Sequence, residues 1–333
     1  MQRTMIAIWS NLVRVSPSPG QQAGFEDYTP TFEKIRQRGW SMKLVSFGSS
    51  DGDGIGVLRD DGSVVDLAAD PSLPSTMVEF VALGSDGLSA ARRLLDATDP
   101  AVVGDPRLRA PIRPRNNVMA VGRNYREHAQ EFTDSGFDAS EHKMIPDHPI
   151  IFTKALSSIA APGEAIGLSA DPSGTSDYEG ELGVVIGPGG IGISTDDAWD
   201  HVYGYTVIND VTAREVQKQH VQFFIGKSAA TFCPMGPAIV TRDEIDDIST
   251  CWLRTTVNGE PRQAAQIADL IFDIPTLIAS ISASVLLEAG DVIATGTPSG
   301  VGIGLDPPTF LRPGDVVEVS IDGVGVLSNP VVE

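Results

Sequence analysis

Two glutamates separated by one residue, Glu179 and Glu181, stand at the start of an apolar, β-branched stretch over residues 178–186. Side chains alternate between the faces of a strand, so a strand here projects both carboxylates from one face. Two neighbouring carboxylates in an apolar strand repel each other unless a cation compensates them. Carboxylate oxygens suit Mg²⁺, Mn²⁺ or Ca²⁺, which makes this pair a candidate metal site. The alternative is a strand with one face in water.

A third carboxylate, Asp210, ends a second strand-like segment over residues 203–210 and precedes a predicted helix over 212–222. An acid at the end of a buried strand is a common position for a ligand or a catalytic group. The same acid can instead cap the helix. Its own position leaves both interpretations open.

His128 and Glu131 lie three residues apart in a short predicted helix over residues 126–132, so they share a helical face. A carboxylate beside an imidazole orients the ring and favours its protonated form, an arrangement suited to general-base catalysis on water. An ordinary surface pair is the alternative.

Further polar side chains follow the predicted strands. Arg214 and Gln217 share one face of the 212–222 helix. There Arg214 could bind a carboxylate and Gln217 could form a hydrogen bond with a carbonyl. Lys227 stands in Phe-Ile-Gly-Lys-Ser, and a lysine near a metal site stabilises a developing oxyanion. Lys154 ends a predicted strand over 149–154, where it is either a site residue or a surface charge.

The remaining elements frame these residues. The glycines of a tight loop over 296–302 let backbone N–H groups approach a ligand closely. The other predicted elements are strands at 43–48, 54–59, 63–67 and 118–121, helices at 75–83, 86–96 and 274–288, and hairpins at 256–261 and 316–327. A polar stretch over 133–148 is predicted to form a lid.

Bulk composition restricts the class of protein. The 333 residues carry a net charge of −20, which argues against nucleic acid and anionic membranes as partners. No run of about 18 apolar residues predicts a membrane span. Two cysteines form neither a disulfide framework nor a zinc motif, so we expect a cytoplasmic protein.

Five motifs in order extend over about residues 117–332. They are Asn-Tyr-Arg-Glu-His-Ala-Gln-Glu (124–131), Asp-Tyr-Glu-Gly-Glu-Leu-Gly-Val-Val-Ile-Gly (177–187), Tyr-Thr-Val-Ile-Asn-Asp-Val-Thr-Ala-Arg (205–214), Gly-Lys-Ser-Ala-Ala-Thr-Phe-Cys-Pro-Met-Gly-Pro (226–237) and Gly-Asp-Val-Ile-Ala-Thr-Gly-Thr-Pro-Ser-Gly-Val-Gly (290–302). Each motif alone is weak, but together they resemble the fumarylacetoacetate hydrolase family in its shorter bacterial form.

This resemblance implies an α+β, β-rich fold. A mixed β-roll would form the main catalytic domain over residues 116–333, preceded by a small N-terminal α/β domain over 42–115. Residues 1–41 would then be an N-terminal extension. The resemblance also implies a homodimer that forms through the roll.

The resemblance further implies the roles of individual residues. It makes Glu179, Glu181 and Asp210 ligands of Mg²⁺, with Mn²⁺ or Ca²⁺ as alternatives, and makes His128, Glu131 and Lys227 catalytic. The residues that it implies for substrate binding are Tyr125, Lys154, Arg214, Gln217 and Thr297. Two positions depart from the family pattern: Val121 replaces a fourth carboxylate, so three protein ligands are expected, and Ala230 replaces a common aspartate near Lys227.

The function implied is metal-dependent hydrolysis of a C–C bond in a small diketo acid of the acylpyruvate type, as in aromatic catabolism. In that reaction, the metal stabilises an enolate while His128 and Glu131 activate water. The same site would also serve an oxaloacetate-type decarboxylase or a hydroxymuconate-type isomerase. A more remote alternative is a metal-binding scaffold without catalysis.

Overall fold

The computed structural model describes residues 42–49, 52–137 and 144–333. The predicted extension over 1–41 and residues 138–143 of the predicted lid lie outside these ranges. No helix within them is both long and apolar enough to cross a lipid bilayer.

The N-terminal part is a small sheet with two helices against it. Its elements are β1 (Lys43–Ser49), β2 (Gly52–Leu58), β3 (Val64–Asp66), α1 (Met77–Ala82), α2 (Ser85–Leu95), β4 (Val102–Val103) and β5 (Arg107–Leu108). Thr76 caps α1, because its side chain accepts a hydrogen bond from the backbone N–H of Glu79. The predicted strands and helices of this region are therefore confirmed to within a few residues.

The larger part of the chain alternates strands with short helices. It comprises β6 (Val118–Gly122), α3 (Arg126–Asp134), β7 (Ile150–Lys154), β8 (Ile159–Ala160), β9 (Ile166–Gly167), β10 (Ser176–Asp177), β11 (Gly180–Ile186), β12 (Val202–Asn209), β13 (Thr212–Ala213), α4 (Arg214–His220), α5 (Phe223–Lys227), β14 (Cys233–Thr241), β15 (Trp252–Val257), β16 (Glu260–Gln266), α6 (Ile274–Ser282), β17 (Val292–Ala294), β18 (Val316–Ile321) and β19 (Gly325–Val332). Strands predominate over helices, which confirms the α+β, β-rich prediction.

One 12-stranded sheet contains strands of both the N-terminal part and the larger part of the chain, and ten of them follow the order β4-β3-β2-β1-β14-β12-β11-β17-β6-β7. β5 pairs with β1, and β8 pairs with β14, off this path. β1 pairs with β14 through Lys43 opposite Val240, so the N-terminal strands continue the central sheet by direct hydrogen bonding. The predicted domain boundary at 115/116 stays a prediction.

A second, five-stranded sheet runs in the order β16-β15-β18-β19-β9 and packs against β11, β12 and β14. Apolar side chains of both sheets form one core, which includes Leu182 and Val184 of β11 together with Leu253 and Val319. Val185, on the other face of β11, belongs to a second core shared with α1 and β2. β11 is thus covered on both faces.

Two predicted helices are shorter than expected. The 212–222 segment begins as β13, continues as α4 and breaks at Val221, where φ is +61°. The chain then turns back, and α5 packs closely on α4, since a Cβ at Gly226 would lie 2.7 Å from the backbone nitrogen of Gln217. The 274–288 helix ends at Ser282, whose backbone oxygen accepts a hydrogen bond from Gly192.

The hairpin predicted at Asn258–Gly259 is confirmed. These two residues have φ values of +55° and +78° and connect β15 to β16, as the type I′ turn of a two-residue hairpin requires.

Candidate active site

Three carboxylates converge where β11 begins and β12 ends. These two strands are antiparallel neighbours, with Gly180 opposite Asn209. Asp210 follows β12 directly, and its backbone N–H donates to the Glu179 carbonyl at 2.8 Å. The ligand oxygens of Glu179, Glu181 and Asp210 lie within 4.8 Å of one another, and all three residues are buried. Strand pairing therefore brings Asp210 beside two glutamates that precede it in the chain by 29 and 31 residues.

Gly180 allows the two glutamates to occupy this position. A Cβ at residue 180 would lie 2.3 Å from Thr255 Oγ1 and 2.9 Å from Val319 Cγ1 of the five-stranded sheet. Any side chain at residue 180 would push the two sheets apart. Glycine therefore allows β11 to pack closely on the second sheet. Glu179 and Glu181 consequently project from the opposite face.

Two buried lysines contact these carboxylates. Lys227 Nζ donates to Glu179 Oε2 at 2.8 Å, to Asp210 Oδ2 at 2.6 Å and to Thr212 Oγ1 at 2.9 Å. Lys154 is completely buried and donates to Asp210 Oδ1 and to the carbonyls of Val211 and Lys227. Lys154 thus supports Asp210 and the backbone that carries Lys227.

Arg214 joins the cluster from the start of α4. Its Nη1 lies 2.5 Å from Glu179 Oε1, and its Nε donates to Asp177 Oδ2 at 2.9 Å. Asp177 also accepts hydrogen bonds from the backbone of Gly302 and Ile303. Asp177 is a member of this network that the sequence analysis missed. Its signal was available, because it precedes Glu179 by the same two-residue interval that separates Glu179 from Glu181.

The electrostatic environment shifts the pKa values of the two glutamates in opposite directions. Burial alone would raise the pKa of Glu179, but Lys227, Arg214 and His128 outweigh burial and lower this pKa to about 2. Burial, with Asp210 and Glu179 nearby, holds the pKa of Glu181 well above its usual value. Burial also opposes the charge of Lys227, yet Asp210 and Glu179 keep its pKa raised. Side-chain cations thus outweigh burial at Glu179, whereas at Glu181 burial and the neighbouring carboxylates outweigh Lys227.

Glu181 carries the argument that a cation fits here. Its Oε2 accepts a hydrogen bond from Gly296 N at 2.9 Å, and within the described ranges no Lys, Arg or His forms an ion pair with it. A buried carboxylate without a cation is unfavourable. Three converging oxygen ligands suit Mg²⁺ or Mn²⁺, and such a cation would supply the missing charge.

His128 and Glu131 form a pair on α3. His128 Nδ1 lies 3.2 Å from Glu131 Oε2, while Glu131 Oε1 accepts from Gly300 N at 3.0 Å. Glu131 is thereby fixed to the 296–302 loop and in turn orients the His128 ring. Because Nδ1 faces Glu131, Nε2 is the ring nitrogen left for other partners.

A small cavity, partly open to solvent, lies between these groups. The described residues that line it are Val121, Gly122, Arg123, His128, Phe132, Phe152, Glu179, Glu181, Arg214, Gln217, Phe223, Lys227 and Thr297. Phe132, Phe152 and Phe223 form an aromatic wall, in which Phe132 and Phe152 each pack edge-on against Phe223. Gln217 Oε1 is buried without a hydrogen-bond partner in the part of the chain that the structure describes.

Four predicted site residues are absent from this lining of described residues. Glu131 contacts the lining residue His128, and Asp210 contacts the lining residue Lys227. Lys154 contacts Asp210. Tyr125 is buried beside Leu270, and burial, with the nearby Glu181, raises the pKa of its phenol. The other predicted residues all face the cavity: His128, Glu179, Glu181, Arg214, Gln217, Lys227 and Thr297.

The 296–302 loop differs from expectation. Its backbone amides were predicted to approach a ligand, but three of them bind the protein's own carboxylates. Gly296 N donates to Glu181, Gly300 N to Glu131 and Gly302 N to Asp177. The loop consequently connects the carboxylate cluster to the His128–Glu131 pair.

Comparisons with known proteins agree with this architecture. The sequence model described as fumarylacetoacetate (FAA) hydrolase C-terminal matches residues 117–332. The oxaloacetate tautomerase YisK of Bacillus subtilis (strain 168) is 42% identical over 294 residues, covering 83% of this chain and 95% of YisK.

Two solved structures extend the comparison. A fumarylacetoacetate hydrolase from the psychrophilic Exiguobacterium antarcticum is 41% identical, with a TM-score of 0.73 over 88% of this chain and 99% of that one. Maleylpyruvate hydrolase from Sphingobium sp. SYK-6, in complex with manganese(II) and pyruvate, is 29% identical, with a TM-score of 0.70 over 87% of this chain and 99% of that one.

Proposed function

The chain belongs to the fumarylacetoacetate hydrolase family, and we propose that it is a divalent-metal-dependent enzyme acting on a small 2-oxo dicarboxylic acid. Oxaloacetate is the first candidate substrate and keto–enol tautomerisation the first candidate reaction. The similarity to the oxaloacetate tautomerase YisK, which aligns with 83% of the chain, favours this assignment.

The observation that carries this proposal is the position of His128 in the same cavity as Glu179 and Glu181. A base and a candidate metal cluster that share one cavity suit removal of a proton next to a carbonyl. Glu131 orients the ring through Nδ1. His128 Nε2 would therefore take a proton from the substrate carbon, and solvent would return one to the carbonyl oxygen.

Glu179, Glu181 and Asp210 would hold the cation, with Mg²⁺ first and Mn²⁺ next. A cation bound there would act as a Lewis acid toward a 2-oxo acid. The neighbouring hydrolase with manganese and pyruvate supports Mn²⁺ as an effective substitute. Ca²⁺ is the weakest of the three candidates, because it prefers six to eight oxygen ligands.

The surrounding cations would draw an anionic substrate into an otherwise acidic protein. Lys227 and Arg214 line the cavity, so we assign them to charge that develops on substrate oxygens. Gln217 and Thr297 would bind the 2-oxo acid end. Lys154 and Tyr125 stay proposed substrate residues, although their described contacts favour support of Asp210 and burial near Glu181.

Hydrolysis of a C–C bond in a diketo acid is the second candidate reaction. It would use the same His128–Glu131 pair, with water as the proton donor to His128. The similarity to the maleylpyruvate hydrolase from Sphingobium favours it. Decarboxylation of oxaloacetate would need no positioned water. A hydroxymuconate-type isomerase would use His128 as in tautomerisation. The predicted homodimer also stays a proposal.

A direct test uses metal-stripped protein to which Mg²⁺ or Mn²⁺ is restored. Decay of enol oxaloacetate, release of pyruvate from oxaloacetate, and cleavage of acetylpyruvate are followed for the wild type and for His128→Ala. Metal-dependent enol decay without pyruvate, abolished in His128→Ala, would support the tautomerase. Acetylpyruvate cleavage lost in the same variant would favour the hydrolase. No metal-dependent reaction of any of the three would contradict both proposals.

A further inference from the structure

Gln263 connects the strand of the candidate metal ligands to the loop of Thr297. It lies in β16, is completely buried, and belongs to none of the motifs singled out in the sequence. Its Oε1 accepts a hydrogen bond from Gly180 N at 3.0 Å. Its Nε2 donates to Thr297 Oγ1 at 2.7 Å and to the Pro298 carbonyl at 2.7 Å.

The chemistry of these partners fixes the orientation of the amide. Oxygen and nitrogen of a glutamine are otherwise assigned only from their hydrogen-bond network. Here the backbone N–H of Gly180 can only donate, and the Pro298 carbonyl can only accept. Gln263 Oε1 must therefore face β11, and Nε2 must face the loop. It follows that Thr297 Oγ1 receives a hydrogen from Gln263.

This contact determines what Thr297 offers to a ligand. A threonine hydroxyl has one hydrogen to donate and two lone pairs. Gln263 occupies one lone pair, and the Thr297 hydroxyl donates to no protein atom in the described ranges. Thr297 is only 2% exposed and lines the cavity beside Glu179 and Glu181. Its hydrogen is consequently left for an acceptor inside the cavity.

We propose that Gln263 is a positioning residue that presents the Thr297 hydroxyl to the cavity as a hydrogen-bond donor, selecting the carboxylate of a 2-oxo acid. This inference rests on the proposed function, in which Thr297 faces that carboxylate. A carboxylate can only accept, so it matches a hydroxyl whose hydrogen is free. The same amide holds Gly180, so the carboxylate subsite and the metal cluster keep a fixed separation.

A double-mutant cycle on the full-length protein tests this role, with Mn²⁺ bound and pyruvate titrated by calorimetry. Thr297→Val removes the hydroxyl but keeps the shape, and Gln263→Met removes the amide but keeps the length. We expect each change to weaken pyruvate binding by about tenfold to a hundredfold, the range for one hydrogen bond to a charged group. The double variant should bind pyruvate no more weakly than Thr297→Val, with the Mn²⁺ affinity kept within about threefold.

Gln263→Glu separates positioning from structural support. It keeps an acceptor for Gly180 N but cannot donate to Thr297, so the Thr297 hydroxyl turns to the new carboxyl group. We expect pyruvate binding as weak as in Gln263→Met or weaker, and this variant replaces Gln263→Met in the cycle if the latter does not fold. Asn329→Leu is the matched control, because it removes a buried amide that holds the Ala161 and Glu164 carbonyls.

Other outcomes would overturn the inference in distinguishable ways. Additive losses in the double variant, or normal pyruvate binding by Gln263→Glu, would reduce Gln263 to a structural residue and leave the proposed function intact. Wild-type protein that binds Mn²⁺ but no pyruvate would overturn the proposed function and this inference together.

Discussion

Lys227 Nζ lies 2.6 Å from Asp210 Oδ2 and forms a buried ion pair with it. The same ammonium contacts Glu179 at 2.8 Å, so Lys227 and a bound metal would share two of the three proposed carboxylate ligands. A divalent cation and Lys227 would thus repel each other while both are attracted to the same oxygens. Stability, metal affinity and turnover should respond differently to the loss of this lysine.

Lys227→Met should destabilise the metal-free protein while strengthening its affinity for Mg²⁺. Removing one partner of a buried pair leaves uncompensated carboxylates, which costs about 3–5 kcal/mol of unfolding free energy. Mg²⁺ should restore most of this loss. Turnover should fall about 10²–10³-fold, because a donor to a developing oxyanion is gone. Thermal unfolding with and without Mg²⁺, calorimetry and kinetics measure the three effects.

Lys43→Met is the matched control for that variant, because Lys43 pairs with Asp60 at the surface. Surface pairs contribute about 0–1 kcal/mol, so its unfolding free energy and turnover should stay close to the wild-type values. Weaker Mg²⁺ binding by Lys227→Met would contradict the shared-carboxylate interpretation.

Replacing each glutamate by glutamine should change the stability of the metal-free protein in opposite directions. The pKa of Glu181 is raised in the folded protein, so its stabilising contribution is complete at low pH and is lost as pH rises through that pKa. Glu181→Gln should therefore stabilise at neutral pH. The pKa of Glu179 is lowered to about 2, so its contribution is present above the usual pKa of the unfolded chain and is lost as pH falls toward 2. Glu179→Gln should therefore destabilise.

Denaturant unfolding of both metal-free variants at neutral pH measures these signs. Mn²⁺ binding should be lost in both, because each removes a proposed ligand. In the wild type, Mn²⁺ affinity should rise with pH, since Glu181 must lose its proton to bind. Equal signs for the two variants would show that the carboxylates are not differently compensated.

Glu131→Gln should lower kcat by about 10²–10⁴-fold with little change in unfolding free energy. The glutamine oxygen would serve Gly300 N, so its NH₂ would face His128 Nδ1. That contact favours the tautomer with its proton on Nε2, which cannot act as a base. Steady-state kinetics measure the effect, with the substrate that the metal-restoration test selects.

Glu127→Gln is the control for this change, because Glu127 is an exposed acid on the same helix, bonded to Ser299. Its kcat should stay within about threefold of the wild-type value. Wild-type kcat in Glu131→Gln would remove His128 from the role of base.

Neither cysteine should react rapidly with thiol reagents in the folded protein at neutral pH. Burial raises the pKa of Cys233 to about 12 and that of Cys251 to about 11. Thiolate is the reactive form, so the reactive fraction is very small. Because both folded pKa values exceed the usual thiol pKa, their stabilising contribution is complete below about pH 8.5 and is lost as pH rises toward 11 and 12.

Labelling of native and denatured protein by a chromogenic disulfide reagent checks this expectation. Denatured chain should release two equivalents at once, while native protein should react only as it unfolds. Cys233→Ala with unchanged turnover would agree with a structural thiol. Rapid native labelling at Cys233 would instead require a thiolate near the cavity.

Much of the site was predictable because its signals are local. The two-residue interval of Glu179 and Glu181 and the three-residue interval of His128 and Glu131 follow directly from strand and helix geometry. The strand ending at Asn209 positions Asp210 in the same way. These patterns predict which side chains share a face, and strand pairing then brings the faces together.

Other parts depend on contacts between distant segments. Gln263 sits in an ordinary hairpin, and only the packing of two sheets brings it to Gly180 and Thr297. The break at Val221 follows from the close packing of α5 on α4, which helical composition does not reveal. The amides of the 296–302 loop looked free in the sequence because the carboxylates that occupy them come from residues 131, 177 and 181.

The pairing of β1 with β14 sets a limit on shortening this protein. A chain starting at residue 116 would leave β14 with an open edge of backbone donors and acceptors, ready to pair with another molecule. It would also expose Ile239 and Val292, which share an apolar core with Leu44 and Phe80. Such a truncation should aggregate on expression, even though every residue that lines the cavity would still be present.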